Sequence, residues 1–510
     1  MASTAPDASA ARRWPRPPWT FGSGAATAKL FDTLLAAISL IGWLSLGAQV
    51  RRLIGSHGLL PVGDFVEQAR DAGVASWTRL PTIFLWTQSD GALVAGVAVG
   101  VALSLSALAG WQRRACFALS TALYLSYATA GRVFLSFQWD NLLLECGLLA
   151  AFLPTTRRAP VIHFLFRALL FKLYFESGLA KWQSPLHDWQ DGSAMTYYYE
   201  TAPLPTALAF WAHHLPAWWH HFESRATLVL ELGLPFAIFG PRRARLGAAA
   251  AFTVFQVVNA ATANYGFFCY LSMALHVFLL DDADVPRWCR GESATTPAPR
   301  PADPVEPLAA DVRMLGRGAG ALGVAVYVGL SLVQAGFHFG GDEPGAWLTA
   351  LAPVAERSET FRLVNAYHLF ASITRERIEP EFQTLDDAAA DPDDDAAWTA
   401  QDLPHKPGDP RRAPDFVAPH QPRLDFQLWF HGLDYARARP RYVHVLLERM
   451  CEDAASVRDF FSAPLPAHPR AVRVVYWRTQ FSTPAEKRAT GAWWRRERVA
   501  ATVPVPCSTP

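Results

Sequence analysis

"ALVAGVAVGVALSLSALAGW" (residues 92–111) runs for 20 residues without a charge. A helix rises about 1.5 Å per residue, so a hydrocarbon layer of about 30 Å takes about 20 apolar residues, and this run meets that length. "LLAAISLIGWLSLGAQV" (34–50) and "GAAAAFTVFQVVNAATA" (247–263) approach it. Such runs gather much of the apolar content of a 510-residue chain that is 51% hydrophobic and 13% aromatic. The fold class they predict is a polytopic α-helical membrane bundle. Lys and Arg number 46 against 45 Asp and Glu. That balance lacks the clustered basic surplus of a phosphate-binding surface, so no nucleic-acid partner is expected.

About nine spans are expected, at roughly 30–50, 91–111, 115–136, 139–154, 160–181, 226–240, 245–263, 265–281 and 319–338. Positive charge accumulates on cytoplasmic loops. With the N-terminus inside, Arg12, Arg13 and Arg16, the pairs Arg113/Arg114 and Arg157/Arg158, then Arg242, Arg243 and Arg245, and finally Arg287 and Arg290 all fall on that side. The opposite side holds Arg51, Arg52, Arg79 and Arg225. An odd number of spans sends the C-terminal part to a lumen or periplasm. The domains expected are a cytoplasmic tail (1–29), the helical membrane domain (30–338) and a soluble domain (339–510). The opening "MASTAPDASAARRWPRPPW" does not read as a cleaved signal peptide, because no apolar core lies close behind it. No lipidation or retention signal is visible in "VPVPCSTP". Of six cysteines, Cys451 and Cys507 share the C-terminal region and form the one plausible disulfide, provided that region meets an oxidising compartment.

"GESATTPAPRPADPVEP" (291–307) reads as a flexible loop. After Phe339 charges and prolines appear throughout, which predicts a soluble, mixed α+β, strand-rich C-terminal domain. "AVRVVYWRTQFS" (471–482) and "FRLVNAYHLFASI" (361–373) are rich in β-branched and aromatic residues and predict strands. "LDFQLWFHGL" (424–433) and "PRYVHVLLERMCED" (440–453) have helical spacing. The acidic "DDAAADPDDD" (386–395) lacks the glycine and terminal glutamate of a calcium loop and reads as a solvated insert. Arg375, Arg377, Arg411, Arg412 and Arg423 are expected to pair with Glu376, Glu379, Asp409 and Asp425 nearby.

Ionisable residues inside a bilayer cost about 2.5 kcal/mol or more each and are kept where they face partners or a cavity. Here they concentrate in two segments. "QWDNLLLECG" (138–147) supplies Asp140, Asn141 and Glu145, and "LLFKLYFESGLAKW" (169–182) supplies Lys172, Glu176 and Lys181. Lys172 and Glu176 are four apart on one helical face, as are Asn141 and Glu145. The simplest arrangement has these faces meet as an internal salt bridge, with Lys181 snorkelling at the end of its span. Glu231, Gln256, Asn259 and His276 point to a polar cavity shared by several helices, although interhelical hydrogen bonds of about 1 kcal/mol each explain them equally.

The loop 182–225 carries Tyr197, Tyr198, Tyr199, Trp211, Trp218 and Trp219, an aromatic belt of the kind found at lipid headgroups. Its histidines His213, His214, His220 and His221 lack the i, i+4 pair with an intervening glutamate. An interfacial amphipathic helix is therefore expected there, and neither a metal nor a cofactor.

Several strings together carry a resemblance. "FQWDNLLLECGLLAAFL" (137–153), "FESGLAKW" (175–182), "YYYETAPLPT" (197–206), "HHLPAWWHHFE" (213–223) and "ELGLPFAIFG" (231–240) resemble the lipase maturation factor family. So do "NAYHLFASITRERIE" (365–379), "KPGDPRRAP" (406–414), "VAPHQPRLDFQLWF" (417–430) and "GAWWRR" (491–496), in the right order. The resemblance implies a membrane-anchored chaperone for the folding and assembly of secreted lipases or similar hydrolases. It would sit in the endoplasmic reticulum membrane of a eukaryote or the inner membrane of a bacterium, with the C-terminal domain facing the client. Trp218, Trp219, Trp429, Trp493 and Trp494 are the candidate client contacts, with aromatic core packing as the alternative. A second resemblance covers one segment only. "YFESGLAKWQSPLHDWQDGSAM" (174–195) is similar to vitamin K-dependent gamma-glutamyl carboxylase, which implies an enzyme with Lys181 as catalytic base beside a quinone. No carboxylase-like substrate domain follows it.

Overall fold

The structure is a computed structural model that describes residues 24–286, 290, 307–341, 345–387, 389 and 391–507. Arg12, Arg13, Arg16, Arg287, Cys289 and nearly all of the proline-rich loop lie outside the described residues, as does most of the 1–29 tail.

Among the described residues the principal helices of the N-terminal part are α1 (Ala25–Gly47), α2 (Asp90–Leu108), α3 (Arg113–Ala130), α4 (Gln138–Ala150), α5 (Pro160–Trp182), α6 (Ala217–Leu228), α7 (Arg242–Thr262), α8 (Phe268–Leu275) and α9 (Pro307–Phe339), with shorter helices between them. Four of them, α1, α2, α7 and the Gly320–Phe339 stretch of α9, are long and apolar enough to cross a membrane. The remaining expected spans differ for physical reasons. Arg167, Lys172, Glu176 and Lys181 break the apolar run of α5. The segment expected to cross at 226–240 is not one helix. It leaves α6 through a turn of π-helix at Val229–Gly233 and becomes a 3₁₀ stretch at Leu234–Phe239, where Pro235 withholds a backbone donor. Likewise α8 tightens into a 3₁₀ turn at His276–Leu279.

The surface of this bundle is apolar, and charged side chains lie buried within its otherwise apolar interior. Val99, Leu119, Val254 and Leu322 are exposed, whereas Asp140, Glu145, Lys172, Glu176 and Glu231 are buried. Water would favour the reverse, and hydrocarbon favours this arrangement. Phe31, Phe166 and Phe278 form an aromatic knot where α1, α5 and the turn after α8 meet.

The C-terminal domain is an antiparallel sheet with helices. Its strands are β1 (Ile378–Leu385), β2 (Trp398–Gln401), β3 (Ala471–Phe481), β4 (Trp494–Ala501) and β5 (Val505–Pro506), in the order β2-β1-β3-β4, with β5 on β3. Phe382 lies opposite Val474, and the β3–β4 register shifts at Tyr476/Trp477. Helices α10 (Arg423–Leu433) and α11 (Arg441–Glu452) cover it. Tyr442, Val443, Leu446, Leu447 and Met450 of α11 are buried at helical spacing. A disulfide joins Cys451 at the end of α11 to Cys507 beyond β5, 56 residues on.

The segment 361–373, whose composition predicts a strand, is an irregular connection instead. Arg362 and Phe370 have φ of 48° and 53°, outside the β region. Its backbone donors also go elsewhere: Asn365 N–H to Glu145, Tyr367 N–H to Glu176 and Ile373 N–H to Asp188. Side-chain carboxylates of the helical part thus take the hydrogen bonds that a neighbouring strand would have accepted.

Closing a 56-residue loop in the unfolded chain should make the Cys451–Cys507 bridge contribute about 2–4 kcal/mol. Reductant should lower the thermal midpoint of the native protein and leave that of a Cys451→Ser/Cys507→Ser variant unmoved.

Candidate functional site

The site begins with two carboxylates on α4. Asp140 and Arg423, both fully buried, form a bidentate pair, with Nη2 to Oδ1 at 2.8 Å and Nη1 to Oδ2 at 2.9 Å. The Tyr124 hydroxyl donates to the same Asp140 oxygen at 2.6 Å, and Arg423 also donates to the Phe134 carbonyl at 2.6 Å. Such a planar fork on a carboxylate is the strongest common form of charged hydrogen bonding. Arg423 opens α10, so this pair binds the C-terminal domain to the helical bundle across 283 residues of sequence.

Glu145 lies further along α4. It accepts from Lys172 Nζ (2.6 Å) on α5, from the Tyr327 hydroxyl (2.5 Å) on α9, and from the Tyr367 hydroxyl (2.9 Å) and Asn365 Nδ2 (3.1 Å) of the connecting segment. The Lys172 ammonium also sits over the Tyr327 and Tyr367 rings. Lys172 thus pairs across helices with Glu145, while Glu176 accepts the Tyr367 N–H at 2.8 Å. Asn141 accepts from Arg362, which also donates to the Leu135 and Ala128 carbonyls.

Lys181 does not snorkel. It is buried, pairs with Glu231 at 2.8 Å, donates to the Leu369 carbonyl at 2.7 Å and lies over the Trp189 ring. The π-turn after α6 carries Glu231 inward, and Gly178 of α5 makes room for it: a Cβ there would stand 2.8 Å from Glu231 Cβ. Lys181 thus has a carboxylate and a backbone carbonyl as its partners.

The arginines follow the local pairing expected of them only in part. Arg377 does meet Glu379 (2.6 Å), and it also donates to the carbonyls of Glu200, Ala202 and Pro203, while Lys406 takes the other Glu379 oxygen. Arg412 faces Asp402, and Arg375 lies over the Tyr197 ring. Arg423 passes over Asp425 for Asp140. Sequence proximity could not show this; the signal was an unpaired acid in an apolar helix awaiting a cation from elsewhere.

Of the tryptophan candidates, Trp218 is 66% exposed and Trp219 half-buried. Trp429 is half-buried and donates to the Thr201 carbonyl, Trp493 packs on Phe210 beneath Lys487, and Trp494 is buried against Phe481. Tyr198 and Tyr199 belong to the interior, bonded to the Tyr265 hydroxyl and Glu223, not to a surface belt. His220 pairs with Glu223, whose hydrogen bond raises its pKa against burial. No group of three metal-ligating side chains occurs among the described residues. Between the start of α4, the end of α9 and α10 an open groove of about 730 Å³ remains, lined by Phe137, Asn141, His338, His368, Trp429 and Phe430.

Comparison with known proteins agrees along the chain. The lipase maturation factor transmembrane domain matches residues 26–287, and the lipase maturation factor C-terminal domain matches 363–504. Lipase maturation factor 1 of Bos taurus is 30% identical over 92% of this chain and 87% of its own length. Human lipase maturation factor 1 and lipase maturation factor 2 are each 29% identical over 92% of this chain, and over 86% and 81% of their own lengths. No solved structure matches.

Removing one partner of a buried ion pair costs about 3–5 kcal/mol, because the other charge stays desolvated. Arg423→Met should therefore lower the thermal midpoint sharply in detergent, and Asp140→Asn added to it should restore part of the loss; additive losses would deny the coupling. A second prediction concerns pH. Burial, then like-charged neighbours, depresses His420 to about 4 (beside His405 and Arg423) and His431 to about 4 (beside Arg439 and Lys406). Unfolded histidine takes its proton near 6.5, so the stability these groups contribute is full above about 6.5 and falls away as pH drops toward 4. Replacing both with Gln should shrink the loss of thermal midpoint between about pH 7 and about pH 5.

Proposed function

The chain belongs to the lipase maturation factor family, and on that premise we infer that it is a membrane-embedded factor for the maturation of secreted lipases or related hydrolases. The observation that carries this reading is that both family domains are present and interlock: the connecting segment and Arg423 of the C-terminal part occupy buried acceptors of the helical part. A chaperone must offer a surface to a partly folded client, and a domain fixed in orientation does so without the entropy cost of ordering on each encounter. We assign the client-facing role to residues 339–510 and the groove they form with the start of α4. About nine crossings, four of them carried by the long apolar helices, would deliver that face to the lumen of the endoplasmic reticulum or to the periplasm, as the arginine distribution supports. The partners are then the bilayer and a secreted lipase that exposes apolar surface while folding. A carboxylase-type reaction has little support, since Lys181 is held by Glu231 and the Leu369 carbonyl.

The test is co-expression with a secreted lipase. Cells carrying the native protein should secrete active enzyme, and cells carrying a chain that ends before Gly345 should secrete inactive or aggregated enzyme while the membrane part still inserts. Equal lipase activity in the two would overturn the proposal.

A further inference from the structure

Two cavities adjoin in the helical part. The inner one, about 50 Å³, lies between α5, α7 and the π-turn and is lined by Lys181, Glu231, Tyr174 and Gln256 among others. The outer one, about 580 Å³, is a groove between α6 and α7. Met195, Tyr198, Thr227, Phe255 and Asn259 line both.

The polar groups of the inner chamber are not all satisfied. Lys181 and Glu231 answer each other. Gln256, only 2% exposed, gives its amide hydrogen to the Tyr174 hydroxyl at 3.1 Å, and its Oε1 is left with no partner. Three residues on, Asn259 is half-buried at the seam of the two cavities, and its side-chain amide makes no hydrogen bond among the described residues. Both sit near the end of α7, a helix long and apolar enough to cross a membrane. A buried amide oxygen left without a partner in hydrocarbon is costly, and a ligand hydroxyl reaching Gln256 Oε1 would satisfy it.

The groove supplies the rest of a site. Gly247, Ala250 and Ala251 form a shallow floor on α7, and Leu230, Val254 and Val258 rise beside it. From Gly247 to Asn259 the helix advances about 18 Å at 1.5 Å per residue, the span of a long acyl chain. Val254 is 64% exposed, so the groove opens on the apolar outer face of the bundle. Lys181 is paired with Glu231 and is the one Lys, Arg or His lining the two cavities among the described residues, so they offer an anionic head no unpaired cation, and Glu223 at the groove is already engaged by Tyr199 and His220. The small chamber also excludes a phospholipid headgroup.

We propose that α6 and α7 form a binding site for a neutral single-chain lipid of the monoacylglycerol class. A head hydroxyl donates to Gln256 Oε1, a head oxygen accepts from Asn259 Nδ2, and the chain lies in the groove. The proposal does not depend on any lipase client.

Binding of radiolabelled monooleoylglycerol to the purified full-length protein in nanodiscs tests it. The expected result is saturable binding, displaced by unlabelled monooleoylglycerol and at least tenfold less well by oleate or phosphatidylcholine. Ala251→Trp, which fills the groove, and Gln256→Leu, which removes the acceptor, should each weaken it at least tenfold. Val254→Trp, at the exposed rim, serves if Ala251→Trp does not fold. Non-saturable uptake, equal displacement by phosphatidylcholine as for bulk lipid in a surface gap, or undiminished binding by the folded groove variant would overturn the proposal.

Discussion

A carboxylate buried among apolar helices must be given a counter-charge and hydrogen bonds, and on α4 that demand is met from the far end of the chain. Asp140 receives the Arg423 guanidinium and the Tyr124 hydroxyl; Glu145 receives Lys172 together with Tyr327, Tyr367 and Asn365. Two charges removed from water repay their desolvation only with good geometry and saturated partners. The bidentate Arg423 contact meets that condition, and it ties the domain carrying α10 to the bundle. The helical part and the sheet domain are therefore coupled in stability: neither can leave without stranding a charge in the other.

The same logic extends across the junction. Arg377 collects three carbonyls at the end of the helix that holds Tyr198 and Tyr199, and Glu200 in turn accepts the Phe481 N–H of β3. Asn264 accepts from the N–H groups of Val417 and Ala418. These contacts are directional, so they fix orientation as well as affinity. What remains between the domains is the aromatic-lined groove of about 730 Å³ beside Trp429 and Phe430, an opening whose shape the locked junction holds steady.

Much of this was legible in the sequence, and the remainder was not for identifiable reasons. Uncharged runs such as 92–111 carry the membrane reading by length alone, and the apolar spacing of α11 and the β-branched run of β3 declare their elements. The two charge-bearing segments stand out as well, since Asp140, Glu145, Lys172 and Glu176 are anomalous in lipid. The Lys172–Glu145 pair between them follows the expectation that they meet, whereas the partners supplied by the C-terminal part were hidden. Arg423 has an aspartate two residues away and bonds to one 283 residues away, and proximity along a chain says nothing of that choice. Segment 361–373 has the composition of a strand, yet its donors are claimed by carboxylates that come together only in the tertiary structure. The π-turn that turns Glu231 toward Lys181 has no periodicity to announce it, although Pro235 signals that the helix cannot continue.

The central claim, that buried carboxylates of the bundle hold the C-terminal domain in place, is tested most directly by cutting the chain between them. With a protease site placed between Gly341 and Gly345, cleaved native protein should keep its C-terminal fragment on the membrane through a high-salt wash, because buried pairs are screened little. The same protein with Asp140→Asn and Glu145→Gln should release it. Release of the native fragment by salt, or its retention in the double variant, would contradict the account.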